Sequence, residues 1–343
     1  MQYFTTFFDK NYLSRGLVLI ESLQKQSKGF EMYLLCLDDF TFNYFEANKS
    51  QFPQVIILFL NDIEKEDKKL LTCKANRTII EYYFTLSPCL PLYVLKKYNL
   101  PHICSLDADI KFYGSPKPLF DYLINYSIII TPHKFSDKIE HLVKYGKNNV
   151  SFQIFKNDDY GLECLKIWKK KCIEWCKDIL DEENSRYADQ KYLDDWEFSF
   201  PNKVKVLNDN VSGIAPWNLN NYTITIKYKR FYSNKEAIIF YHFHHNKFFN
   251  KKWVTNGFST YKVNYQKNHL KIYQDYWTNV EEKAEKINIT EENLIRIGNV
   301  ENLKNVLSNE KTVFLRVNKF CVIHLDFSTL NHFVKKILFK IYA

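Results

Sequence analysis

A chain of 343 residues with 46% hydrophobic content can bury one large α/β core, or a domain with an appendage. Glycine is scarce (8) beside 24 Tyr and 28 Phe, and neither G-x-G-x-x-G nor a P-loop sequence occurs, which argues against the glycine-loop nucleotide folds. The net charge of +9 fits either an anionic partner or a solvated Lys-rich surface, and no nucleic-acid-binding module is recognisable.

Eight cysteines in so long a chain do not make a disulfide framework. Cys172 and Cys176 stand one helical turn apart without a second pair at zinc-ligand spacing, so the cysteines read as reduced thiols. The first residues run straight into a strand pattern, not a signal peptide, and no apolar run is long enough to span a bilayer. The expected location is cytoplasmic.

In chain order, residues 2–8 read as a strand, 9–12 as a turn and 14–26 as a helix with Leu17, Ile20 and Leu23 on one face. Strands follow at 31–37 and 55–60, and 62–76 is charged loop or short helix. Residues 77–100 read as helix around Pro88 and Pro91, and they lead into a strand at 103–106. Residues 111–120 are turn-rich, 127–131 and 150–155 are strands, and 163–177 is an amphipathic helix. Residues 211–218 form a loop, and 237–245 a strand running into three histidines. Alternating strands and helices with such crossovers predict a parallel sheet, whose ligands sit at the strands' carboxyl ends, where Asp9, Asp38 and Asp107 fall. A composition change near residue 260 divides a catalytic domain (1–260) from a mainly helical, basic extension (261–343). The final stretch, 332–342, is a basic amphipathic segment that either lies on an anionic membrane or packs back on the domain.

The chemistry centres on Asp107-Ala-Asp109, the one Asp-x-Asp in the chain. In an extended segment positions i and i+2 project to one side, so both carboxylates can face one divalent cation. His242 and His244 share a face of the late strand and are candidate third ligands. Two readings of His242 stand: a metal ligand, or a packed, hydrogen-bonded core histidine. Ala215-Pro-Trp-Asn218 likewise either rigidifies its loop or lines a ligand site with an aromatic face.

Taken together these motifs resemble the retaining glycosyltransferases of the glycogenin and lipopolysaccharide galactosyltransferase type. Asp-x-Asn-Tyr at 9–12, Leu-Asp-Ala-Asp at 106–109, Asp-Gln at 189–190 and His-Phe at 242–243 fall in the family's order. The chain is more similar still to a group of uncharacterised bacterial putative glycosyltransferases. The shared stretches are Arg-Thr-x-x-Glu-Tyr, Phe-Lys-Asn-Asp, Asp-Gln-Lys-Tyr-Leu-Asp-x-Trp, Ala-Pro-Trp-Asn and Phe-Tyr-His-Phe-His, and the resemblance spans roughly residues 2–250. It implies the glycosyltransferase-A fold: a Rossmann-like mixed central sheet flanked by helices, with a C-terminal helical extension. It also implies Mn²⁺ or Mg²⁺ and a nucleotide-sugar donor, mostly UDP-linked.

Residue by residue, the resemblance implies that Asp9, Asn11 and Tyr12 hold the nucleoside. Asp107, Asp109 and His242, with His244 as substitute, bind the metal, and Lys247 touches the diphosphate, its spacing one residue short of the family's. Asn149 contacts the donor sugar, although Val150 and Ser151 replace the family's Ala and Gly. Asp189 bonds sugar hydroxyls and Gln190 lies beside the anomeric carbon. Arg77 and Glu81 match the bacterial group.

The expected activity is transfer of a hexose, with retention, to a surface polysaccharide or lipid-linked glycan, peripheral to the inner membrane face. The rivals are a nucleotide-sugar hydrolase or nucleotidyltransferase, and a non-catalytic sugar-binding module.

Overall fold

The computed structural model describes residues 1–249, 253–287, 312–318 and 321–330, with Val334, Lys335 and Leu338. The basic stretch 332–342 thus lies almost wholly outside the described residues.

The chain opens as the sequence predicts, with β1 (Gln2–Phe8), α1 (Leu13–Gln26) and β2 (Phe30–Cys36). A helix the sequence reading passed over, α2 (Asp39–Ala47), follows at once, because Asp38 caps it by accepting from the Thr41 amide at 2.8 Å. Asp38 is therefore a helix cap at the strand end. β3 (Val55–Phe59) is followed by two short helices, α3 (Leu60–Glu66) and α4 (Lys68–Asn76), in the charged segment.

The long helix α5 (Ile79–Tyr98) starts on a capping box between Thr78 and Glu81 and stops at Asn99 in the left-handed region (φ 48°). Pro88 and Pro91 sit inside it; with no N–H they leave the carbonyls of Phe84 and Ser87 without their helical donors. Next come β4 (His102–Leu106), β5 (Ile110–Phe112), α6 (Lys117–Asp121), β6 (Ile128–Pro132) and β7 (Asn148–Lys156). α7 (Asp159–Glu174), α8 (Trp196–Ser199) and β8 (Val204–Val206) complete the central layer.

Seven strands form one sheet in the order β3-β2-β1-β4-β7-β6-β8. Only β7 runs against its neighbours, β4 and β6; the other pairings are parallel. The expected mixed α/β class is what the chain adopts. Alternation along β1 fills a core on each face: Phe4 and Phe8 pack toward α1, Tyr3 and Phe7 toward α5 and α7. The order reverses between β1 and β4, since the crossover from β1 leads outward to β2 and β3 and that through α5 returns to β4. A crevice therefore opens beyond the carboxyl ends of β1 and β4, where open α/β sheets bind ligands.

After β8 the chain forms a meander, β9 (Ile224–Lys227), β10 (Arg230–Ser233) and β11 (Glu236–Ala237), then β12 (Phe240–His242). β12 pairs antiparallel with β5 in a separate two-stranded ribbon. A further antiparallel sheet joins β13 (Phe248–Phe249), β14 (Trp253–Thr255), β15 (Thr312–Asn318) and β16 (Cys321–Asp326). Helix α9 (Lys267–Lys286) places Ile272, Tyr273, Tyr276, Trp277, Val280 and Ala284 in the same core as Phe4 and Phe8. Seven cysteines among the described residues are buried free thiols.

Gly161, in the first turn of α7, has no room for a side chain: a Cβ there would sit 2.1 Å from the Lys156 carbonyl oxygen. Gly161→Ala is expected to cost about 1–3 kcal/mol of stability by overpacking, read as a lowered thermal midpoint; an unchanged midpoint would refute this packing.

Candidate active site

Asp107 follows the last residue of β4, where its amide donates to the Ser151 carbonyl at 3.0 Å. Ala108 and Asp109 form a turn rather than an extended segment, so it is the turn that gathers the two carboxylates, not strand alternation as expected. The ribbon supplies the third group. Pairing of β12 with β5 sets His242 opposite Ile110, and the Phe243 amide closes the pair by donating to the Asp109 carbonyl at 2.9 Å. His242 Nε2 then stands 3.0 Å from Asp109 Oδ1 and 3.6 Å from Asp107 Oδ2.

One ligand atom from each of the three residues lies within 4.8 Å of the others. Two hard carboxylate oxygens and an imidazole nitrogen suit Mn²⁺ or Mg²⁺. This is the one such group among the described residues. His244 stays outside it: its ring packs 5.2 Å from Trp217 and 5.6 Å from His242, and burial holds its imidazole neutral.

The trio's electrostatics fit a cation site. Burial raises Asp107 above the usual carboxylate range, and its neighbour Asp109 adds to the rise. Burial acts the same way on Asp109, but the charge and hydrogen bond of His242 outweigh it and hold Asp109 low. On His242 burial favours the neutral ring, yet Asp109 and Asp107 prevail and raise its pKa. Without an ion, a proton on the imidazole balances the carboxylates.

Around the trio stand the groups from the N-terminal loop. Asp9 accepts from the Asn11 amide (2.9 Å) and side chain (3.0 Å), and Tyr83 donates to it at 3.5 Å. The Tyr12 ring is 44% exposed and lies over the Arg15 guanidinium at 4.7 Å. Arg15 is a residue the sequence reading missed. Buried at the start of α1, it donates to the carbonyls of Asn11 (3.2 Å) and Asn246 (3.1 Å), tying the first loop to the turn after β12. Nothing in its sequence context separates it from a helix-surface arginine.

Asn149 and Asp189, which the resemblance assigns to the sugar, each carry an unsatisfied buried atom. Asn149 accepts from Ser151 through Oδ1, while its Nδ2 is buried without a hydrogen-bond partner. Asp189 is 1% exposed and its Oδ2 is likewise unpartnered; burial pushes its carboxyl up to about 7, against a bond from the Ser87 hydroxyl. Trp168 fixes the Asp189 backbone by donating to its carbonyl at 2.9 Å. An unpaired buried donor and acceptor each cost about 1–3 kcal/mol. Gln190 donates its amide to the Tyr145 carbonyl at 3.0 Å.

Other residues singled out in the sequence are held elsewhere. Arg77 bridges α5 and α7, donating to the Ile173 carbonyl at 2.7 Å and to Thr85. Glu81 is engaged in the capping box and accepts from the Asp178 amide at 3.2 Å. Lys247 is exposed just beyond the histidines, with its amide on Thr255 Oγ1 at 3.0 Å. For Ala215–Asn218 the structure answers the open question in favour of a rigid loop. Asn218 is buried and caps its own turn, and Trp217, 4% exposed, packs edge-on to His242 at 5.2 Å.

The C-terminal helix reaches the site from behind. Tyr276 stacks on Phe243 at 3.7 Å, and Tyr241 bonds the Tyr273 hydroxyl at 3.2 Å. Asp275 accepts from Lys111 (2.6 Å) and Tyr113 (2.9 Å) at the far face of the ribbon.

Because a cation must displace the proton on His242, and the one on Asp107, affinity is expected to rise with pH. Mn²⁺ titrated calorimetrically between pH 6 and 8 should bind more tightly by up to roughly tenfold per pH unit for each proton displaced. His242→Ala should remove its own proton's share of the dependence together with most of the affinity, leaving the share of Asp107; a pH-independent wild-type affinity contradicts the assignment.

No family model matches the chain. The uncharacterized protein YfnD of Bacillus subtilis is 29% identical over 243 residues, 70% of this chain and 76% of YfnD. Among solved structures, mouse xyloside xylosyltransferase 1 aligns at TM-score 0.45 and 13% identity over 61% of this chain and 86% of its own. The galactosyltransferase LgtC, with donor and acceptor sugar analogues, aligns at TM-score 0.46 and 15% identity over 63% and 76%. The uncharacterized protein YfnF of Bacillus subtilis is 30% identical over 249 residues, 70% of this chain and 80% of YfnF. The chain belongs to the family of YfnF.

Proposed function

We propose that the protein is a metal-dependent glycosyltransferase that moves a hexose from a nucleotide sugar, UDP-linked, to a glycan acceptor with retention of anomeric configuration. The observation that carries this reading is the meeting of Asp107, Asp109 and His242 at the carboxyl end of β4, beside the crevice where the strand order reverses. A donor site needs a neutralised diphosphate next to partners for sugar hydroxyls. The trio offers the first, and the unpartnered Asn149 Nδ2 and Asp189 Oδ2 offer the second.

Asp107, Asp109 and His242 would hold the cation, which when bound supplies positive charge against the leaving diphosphate. Asp9, Asn11 and Tyr12 are assigned to the nucleoside, the exposed Tyr12 ring giving a flat apolar face. Lys247 is assigned to the diphosphate as a second cation at the open side. Asp189 accepts from a sugar hydroxyl, and Gln190 presents a neutral amide near the reacting carbon. An amide is a poor nucleophile, unlike the carboxylates of retaining glycosidases, so retention follows from acceptor attack on the leaving-group side.

The test is a nucleotide-sugar panel with and without Mn²⁺, read as thermal stabilisation and as slow hydrolysis to free nucleotide. One UDP-sugar is expected to stabilise the protein and to be hydrolysed only with metal, and Asp107→Asn should lower that turnover by at least ~100-fold. Turnover unchanged in Asp107→Asn, or no nucleotide sugar bound, contradicts the reading.

A further inference from the structure

The hairpin of β9 and β10 departs from what its own fold favours in two ways at one place. Its connection is the two-residue turn Tyr228–Lys229, and both residues take positive φ, 49° and 60°. Turns of that kind normally carry Asn-Gly, because a side chain is strained in the left-handed region. The flanking pair is Lys227 directly across from Arg230, two like charges in a register that favours opposite ones. Backbone strain and charge repulsion thus coincide at this tip.

Tyr228 is 96% exposed, and Ile226, one strand position behind the tip, is 37% exposed. Lys227, Lys229 and Arg230 are all exposed, and no acidic residue occurs from 210 to 235. Among the described residues none of the three joins an ion pair, whereas Lys25, Lys117 and Lys170 on the helices are matched by Glu21, Asp121 and Glu174. The base of the hairpin is firm: Ile224 and Phe231 are buried, Phe231 packs on Tyr113 at 5.0 Å, and Asn268 of α9 donates to the Ile224 carbonyl at 2.8 Å.

We propose that the tip Lys227–Arg230 docks this protein on an anionic lipid bilayer, with Tyr228 at headgroup level and the three cations against the surface charge. The tip is convex, so it fits an extended surface and not a small anion, which needs a concave site. An amphipathic ring ringed by cations is the chemistry of a membrane interface. This docking is independent of the transfer reaction and of residues 332–342.

The full chain is sedimented with vesicles of phosphatidylcholine, with and without a fraction of phosphatidylglycerol. Binding is expected only to the anionic vesicles and should weaken with salt. The triple variant Lys227→Gln, Lys229→Gln, Arg230→Gln should lower the partition coefficient about 100-fold, each cation near the surface being worth roughly fivefold. Its thermal midpoint should be unchanged or higher, because the like-charge pair is gone. Tyr228→Ser, tested separately, should weaken binding several-fold at unchanged charge. Equal binding of the triple variant and wild type, or equal binding to neutral and anionic vesicles, overturns the proposal. So does a chain that ignores vesicles but is retained by an anionic polysaccharide.

Discussion

The register of β12 on β5 is the constraint on which the site depends. With His242 opposite Ile110, the imidazole meets the Asp107-Ala-Asp109 turn. Because side chains alternate along a strand, a slip of one residue would turn His242 toward the core and bring Tyr241 or Phe243 to the carboxylates. The partition is clean: Tyr241 and Phe243 are fully buried on one face, while His242 and His244 stand on the other. The ribbon holds that register from both ends, through its own ladder and through the Phe243 amide on the Asp109 carbonyl.

The apolar face of the ribbon needs cover, and α9 provides it. Tyr273 and Tyr276 close over Tyr241 and Phe243, and Asp275 neutralises the nearly buried Lys111, whose charge burial alone would disfavour. Glu21 of α1 and Lys283 of α9 add an ion pair at 2.6 Å. Residues more than 160 positions beyond the carboxylates in sequence thus fix the strand that carries His242. The N-terminal loop is drawn in by Arg15, whose two carbonyl partners lie on Asn11 and Asn246. The crevice, the trio and the loop at residues 9–12 form one interlocked unit.

Much of this frame was legible in the sequence, for physical reasons. Strands β1 to β4 are short and apolar, helical periods follow β1 and precede β4, and the Asp-x-Asp falls where a strand must end. His242 could be singled out because three histidines within four positions follow an apolar strand. What the sequence does not reveal depends on contacts across the chain. Alternation, a local rule, predicts an extended Asp-Ala-Asp, whereas its shape is set by Ser151 and Phe243. The hairpin at 224–233 carries no Asn-Gly or Gly signal, since Tyr228 and Lys229 fill a turn such residues seldom occupy. Arg15 and Asp275 look like ordinary helix-surface charges until α1 and α9 bring them to their partners. Helix α2 was missed because its capping Asp38 was read as a strand-end carboxylate of the site.

The central claim is that Asp107, Asp109 and His242 together hold a divalent cation in the donor crevice. Crystals grown with Mn²⁺ and UDP, with anomalous data collected at the manganese edge, test it most directly. The account predicts one strong anomalous peak within bonding distance of Asp107, Asp109 and His242 Nε2, with the diphosphate on its open side. A nucleotide bound in the crevice with the manganese elsewhere, or with His242 still hydrogen-bonded to Asp109 and no peak between them, would contradict it.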